Sequence, residues 1–195
     1  MVTRGPGATN GSAGLHIAMQ DSTPLIMLIG QVQRDALERE AFQELDYRRM
    51  FGQLAKWVAE IDDPKRIPEF ISRAYYVATS GRPGPVVLAL PEDMLREPAE
   101  VGDAEPWRPV ETAPSAQQTA EVMDELRRAE RPFLLLGGSQ WDADAVKSIE
   151  GFAAANALSV GCAFRRQDRF DNVNPCYAGD VGIGINPKLA QRVQE

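Results

Sequence analysis

The chain has 195 residues, 44% of them hydrophobic and 25% charged, the balance of a globular protein with a core to bury rather than of a disordered chain. Its 21 basic and 28 acidic side chains leave a formal charge of −7 with no basic cluster, which argues against nucleic-acid binding, and its longest apolar run, residues 24–29, is far too short to span a bilayer. Two cysteines, Cys162 and Cys176, and a single histidine, His16, argue against a disulfide framework and a zinc site and read as the sparse reduced thiols of a cytoplasmic protein.

In chain order, Gly5-Pro6-Gly7-Ala8-Thr9-Asn10-Gly11 reads as a glycine-rich loop entering a helix that runs to Gln20. Backbone N–H groups there can meet an anion or a polar ring, although on local sequence a plain turn and helix start is an equal reading. No Gly-Lys-Ser/Thr follows, and Asn10 stands at the third glycine position of a GxGxxG pattern, so neither phosphate motif is complete. Leu25 to Ile29 and Val86 to Leu90 are continuous apolar runs closed by Gly30 and Pro91, the signature of strands covered on both faces of a parallel sheet. Between them Ile67, Phe70, Ile71, Ala74, Tyr75 and Ala78 recur at helical spacing, with Gly81 as the stop.

Five prolines between residues 91 and 114 place a linker at 94–114, dividing residues 1–93 from 115–195. Ser115 and Gln118 then stand at capping-box spacing before a helix. Phe133 to Leu136, ending in Gly137-Gly138, and Leu158 to Ala163 read as strands around a helix from Ala145 to Ala155. The alternation predicts an α/β fold of parallel-sheet, three-layer units with helices on both faces, in two incomplete domains. A glycine-rich start with almost no strand before it, and a stop where another strand is due, give the expectation of a chain cut from something longer. Glu38, Glu40, Glu44 and Asp46 read as a solvated acidic face, and His16 as a packed or surface side chain.

Taken together, Gly5-Pro6-Gly7-Ala8-Thr9-Asn10, Gly14, Asp21-Ser22-Thr23-Pro24, Gly30-Gln31-Val32, Ala41-Phe42-Gln43-Glu44, Lys56-Trp57, Ala78 to Val86 and Leu90-Pro91-Glu92-Asp93 resemble the acetolactate synthase-like thiamine diphosphate enzymes. The resemblance implies that residues 1–93 are the C-terminal half of a pyrimidine-binding domain. Residues 115–195 resemble the start of the central, Rossmann-like domain. It implies thiamine diphosphate as cofactor, magnesium held by a domain outside this chain, FAD in those members that bind it, a 2-keto acid substrate, and a homodimer or tetramer. The activating Glu is expected upstream of Gly5, so no catalytic residue and no metal ligand is expected here.

Carried over by position, Gly5, Pro6, Gly7, Asn10 and Gln43 lie on the thiamine diphosphate side, Phe42 and Lys56 approach the substrate channel, and Ser22 and Arg82 match FAD contacts. Two departures stand out. Gln33 replaces a common Pro, and Glu92 replaces a Lys beside the active-site entrance, a charge reversal that counts against acetolactate synthesis itself. The rival reading is a stand-alone, non-catalytic α/β module holding a nucleotide or phosphate with Gly5 to Gly11 and Gly137-Gly138.

Overall fold

The computed structural model describes residues 1–139 and 141–195, which divide into two compact units, Met1–Glu111 and Thr112–Glu195. In the first unit the elements are α1 (Gly5–Gln20), β1 (Leu25–Gln31), α2 (Tyr47–Phe51), β2 (Trp57–Glu60), α3 (Ile67–Thr79) and β3 (Pro85–Pro91). The three strands are parallel in the order β1-β3-β2, and Val2 adds an isolated parallel bridge beside Ile29.

Strand β3 is buried at every position because it is the central strand and both of its faces are covered. Val87 and Ala89 join Met27 and Ile29 under Ala8 and Leu15 of α1 and Tyr47 and Phe51 of α2. Val86, Leu88 and Leu90 face the other way, against Ala74 and Ala78 of α3. This two-sided burial is what an unbroken apolar run in a parallel sheet encodes.

The start of α1 departs from the expected loop. Residues 5–11 are already helical, with Pro6 in the first turn, where its missing N–H and fixed φ fit a helix start. The glycines serve close packing there. A Cβ on Gly5 would lie 3.0 Å from the Gln43 carbonyl oxygen, and one on Gly7 3.1 Å from Thr3 and 3.3 Å from Val2.

The second unit contains α4 (Ala116–Arg128), β4 (Phe133–Leu136), α5 (Ala143–Ala155), β5 (Ser159–Ala163), β6 (Tyr177–Val181) and α6 (Pro187–Gln194), with a parallel sheet in the order β4-β5-β6. Ser115 and Gln118 form the reciprocal capping box that their spacing predicts. Val160, Cys162, Leu136, Ala153 and Phe170 make its core. Residues 98–115 carry neither helix nor strand, and Trp107 of this stretch stacks on Tyr75 of the first unit at 5.9 Å. Strands β2 and β6 and helices α2 and α6 have no counterpart in the sequence expectation.

Candidate functional site

Parallel strands send their loops to one end, and in open α/β sheets ligands gather at the C-terminal edge. In the first unit that edge is formed by Gln31, Glu60 and Pro91, the last residues of the three strands. Helix α1 starts there. Its Gly5 N–H donates to the Gln43 carbonyl at 3.0 Å, which brings Gly5, Pro6 and Gly7 beside Phe42 and Gln43. Arg4, just before α1, donates to the Phe42 carbonyl at 3.4 Å and forms an ion pair with Glu92 at the end of β3. Phe42 is 80% exposed, and Pro6 and Asn10 are exposed on α1.

The α1 start is not an open anion cradle. Gly5 N–H is taken by Gln43, Pro6 has none, and Ala8 N–H closes the first turn on Arg4. The structure therefore gathers Gly5, Pro6, Gly7, Phe42 and Gln43 at one edge as a wall of ring and amide groups.

Residues 37–46 reach over this edge with three non-glycine residues in the left-handed region, Glu38, Glu40 and Gln43 at φ 61, 55 and 66°. The Glu44 carboxylate ties the segment from inside, accepting from the Glu38 and Ala41 N–H groups at 2.7 and 3.1 Å. Asp46 caps α2 by accepting from Arg49 N–H. Two members of the acidic cluster thus have structural tasks that charge counting does not show.

Beneath that segment lies a cavity of about 280 Å³, lined by Gln31, Glu44, Tyr47, Arg48 and Glu60 among others. Gln31 is buried to 2% exposure and is fully used. Its amide nitrogen donates to the Leu45 carbonyl at 3.0 Å and to Glu60 at 3.4 Å, while its oxygen accepts from Val32 N–H. Burial holds the Glu60 carboxyl above its ordinary range, Gln31 and Arg48 pull it back, and Asp62 and Asp46 push it further up. Tyr47 donates to the Gly30 carbonyl, and burial pushes its hydroxyl up to about 12 despite the nearby Arg4 charge. Glu60 and Arg4 carry no motif of their own. A carboxylate closing the short apolar stretch Trp57-Val58-Ala59 was the available signal for Glu60.

Lys56, Ser22 and Arg82 stand at the other end of the sheet, where β2, β1 and β3 begin. The Lys56 ammonium donates to the carbonyls of Val77 and of Ser80, the latter at 2.8 Å, at the end of α3. Arg82 donates to Ser22 Oγ at 2.8 Å and to the Met19 and Gln20 carbonyls at 3.1 and 2.9 Å, closing the end of α1. In the second unit Gly137 accepts from the Trp141 indole, and the Cys162 thiol is raised by burial and by Asp180 and Asp168, the opposite of an activated thiol. Among the described residues no group of three or more His, Cys, Asp or Glu could hold a metal ion, and no helix is long and apolar enough to cross a membrane.

Comparison with known proteins gives the chain a family. Residues 1–50 match the thiamine pyrophosphate enzyme N-terminal TPP binding domain, and residues 119–195 match the central domain of the same enzymes. Acetolactate synthase from Arthrospira platensis is 32% identical over 94% of this chain and 33% of its own length. The isozyme 2 large subunit from Escherichia coli K12 is 33% identical over 100% of this chain and 36% of its own. The X-ray structure of a candidate thiamin diphosphate-dependent enzyme isolated from Mycobacterium smegmatis superposes with a TM-score of 0.78 at 30% identity, over 92% of this chain and 35% of that one. The chain thus spans about a third of the length of these relatives, and it belongs to the thiamine pyrophosphate enzyme family, on its acetolactate synthase-like branch.

Proposed function

We propose that this chain forms the pyrimidine-side wall of a thiamine diphosphate site in a carboligase or decarboxylase acting on 2-keto acids. The observation that carries the reading is the meeting of the α1 start with Phe42 and Gln43 at the C-terminal edge of β1, β3 and β2. An exposed aromatic ring next to Gln43, with Asn10 exposed further along α1, fits a neutral, hydrogen-bonding aminopyrimidine. The same residues do not fit a diphosphate with its magnesium, which in this reading falls to other residues. When bound, thiamine diphosphate supplies the nucleophile and the electron sink for loss of carbon dioxide from a 2-keto acid.

The chain's own part is to place and shield. Phe42 excludes water from one side of the ring, and Asn10 and Gln43 fix its orientation by hydrogen bonds. Residues 1–93 act as the C-terminal half of the pyrimidine-binding domain, 94–114 as a linker and 115–195 as the start of the central domain. Lys56 serves the substrate side indirectly, by holding the end of α3. Ser22 and Arg82 meet FAD only if their mutual bond and the hold on α1 are shared with it. Assembly as a homodimer or tetramer is supported by apolar side chains left in the open, Val122, Val173 and Ile183 among them, and a cytoplasmic setting by two free cysteines. A non-catalytic phosphate module is not favoured, because the Gly5 N–H is taken by Gln43 and Pro6 has none, which leaves too few amides in the first turn of α1 to cradle an anion.

Saturation-transfer NMR with thiamine tests the reading. Transfer to the pyrimidine protons exceeding that to the thiazolium protons, and lost in a Phe42→Ala, Asn10→Ala variant, is expected. Equal transfer in variant and wild type, or transfer displaced by inorganic pyrophosphate alone, overturns it.

A further inference from the structure

Arg4 occupies the N-cap position of α1 without capping it through its side chain. Its guanidinium instead reaches two other elements, donating to the Phe42 carbonyl through Nη1 and to the Glu92 carboxylate through Nη2. One side chain thus joins the start of α1, the segment 37–46 and the end of β3. That segment needs an outside hold, because Glu38, Glu40 and Gln43 all sit in backbone conformations that favour glycine. Its anchors beyond Glu44 include the Gly5 N–H on Gln43, the Gln31 amide on Leu45 and Arg4 on Phe42.

Of these, the Arg4 bond holds the main chain of the residue whose ring stands in the open, and so fixes the point from which that ring projects. Glu92 keeps the guanidinium plane in place, and the planar fork is what lets one residue serve a carbonyl and a carboxylate together. A lysine's single ammonium reaches one of them well. Glu92, whose negative charge looked hostile to anionic substrates in the sequence, is neutralised by its partner.

We propose that Arg4, oriented by Glu92, is a positioning residue that fixes where Phe42 and Gln43 stand against the cofactor and the substrate. The inference rests on the reading of this edge as a thiamine diphosphate site. Amide hydrogen exchange on wild type, Arg4→Ala, Arg4→Lys and Glu92→Gln reads the hold directly, with Arg127→Ala, a surface pair on α4, as control. Exchange across residues 38–44 is expected to rise at least tenfold in Arg4→Ala and about threefold in Arg4→Lys and Glu92→Gln, with β1 and β3 unchanged.

In the full-length enzyme with thiamine diphosphate and magnesium, Arg4→Ala raises the pyruvate KM at least fivefold with kcat within twofold, and Arg4→Lys recovers part of the loss. A merely structural role lowers kcat with the amount of folded enzyme and leaves KM alone. Unchanged exchange in Arg4→Ala overturns the proposal, as does faster exchange with unaltered KM. Should Arg4→Ala fail to fold, the Lys and Gln variants decide by the same readings. A wild type that neither turns over pyruvate nor contacts thiamine marks failure of the functional reading, while exchange still dependent on Arg4 upholds the hold itself.

Discussion

Arg82 and Glu60 show what a sequence conveys about a single side chain and what it withholds. The Gly-Arg-Pro-Gly turn announces a fixed arginine, but its partners, Ser22 and the last carbonyls of α1, lie some 60 residues away in the chain. Three bonds to neutral oxygens at a helix C-terminus, discounted for exposure, put the loss in Arg82→Ala at about 1–2 kcal/mol, measured by urea denaturation. A change under about 0.5 kcal/mol returns Arg82 to a bystander on the surface. Glu60 gives a pH-dependent test. Its folded pKa is raised, so the folded state binds the proton more tightly than the unfolded chain, and the stability this contributes is full below the unfolded pKa and lost as pH rises through the folded value. Glu60→Gln should therefore melt higher than wild type at pH 7, with the gap closing as the pH falls below about 4, since the two side chains are then both neutral. A wild type that melts higher at pH 7 contradicts it. Much of the candidate edge was legible from the resemblance, because Gly5, Pro6, Phe42 and Gln43 lie in contiguous strings. Arg4 and Glu60 were not, since their meaning comes from Glu92 and Gln31, residues brought near by strand pairing alone.

At the scale of elements, what could be read was whatever repeats with a clean period. The runs at β1 and β3 and the 3.6-residue spacing of α3 each report burial directly, and the structure returns them within a residue or two. Strand β2 has only four residues at the sheet edge, too few to show a period against the Trp and Glu that bound it. Strand β6 is interrupted by Gly179 at φ 130° and by a register shift against β5, which breaks any alternation. The opening glycines misled for another reason, because glycine signals both a loop and a close helix contact, and only packing separates the two. Helix α1 offers a test in which one substitution type changes sign. Gly14 has nothing within 4 Å of a new Cβ, so Gly14→Ala should add about 0.5–1 kcal/mol through helix propensity. Gly5→Ala forces a methyl to 3.0 Å from the Gln43 carbonyl and should destabilise instead. Guanidinium denaturation of both variants reads the signs, and two changes in the same direction would mean that α1 does not seat against residues 42–43 as described.

For the molecule as a whole, the question is which parts of a catalytic site these 195 residues bring. Activation of the cofactor requires a carboxylate that can face the pyrimidine, and three of the carboxylates near this edge are engaged or buried. Glu92 is paired with Arg4, Glu44 accepts from two backbone N–H groups, and Glu60 lies in the cavity with its carboxyl held toward the neutral form. Binding the diphosphate requires a metal, and among the described residues no group of three or more His, Cys, Asp or Glu stands together to hold one. General acid–base work typically contributes about 10²–10⁴-fold, and a wall that only orients a ring does not supply it. The 195-residue chain incubated with thiamine diphosphate, magnesium and pyruvate is therefore expected to release carbon dioxide and form acetolactate no faster than the cofactor alone. A rate above that background, abolished in Glu60→Gln, would instead make the buried carboxyl of β2 the activating group and this edge a catalytic centre in its own right.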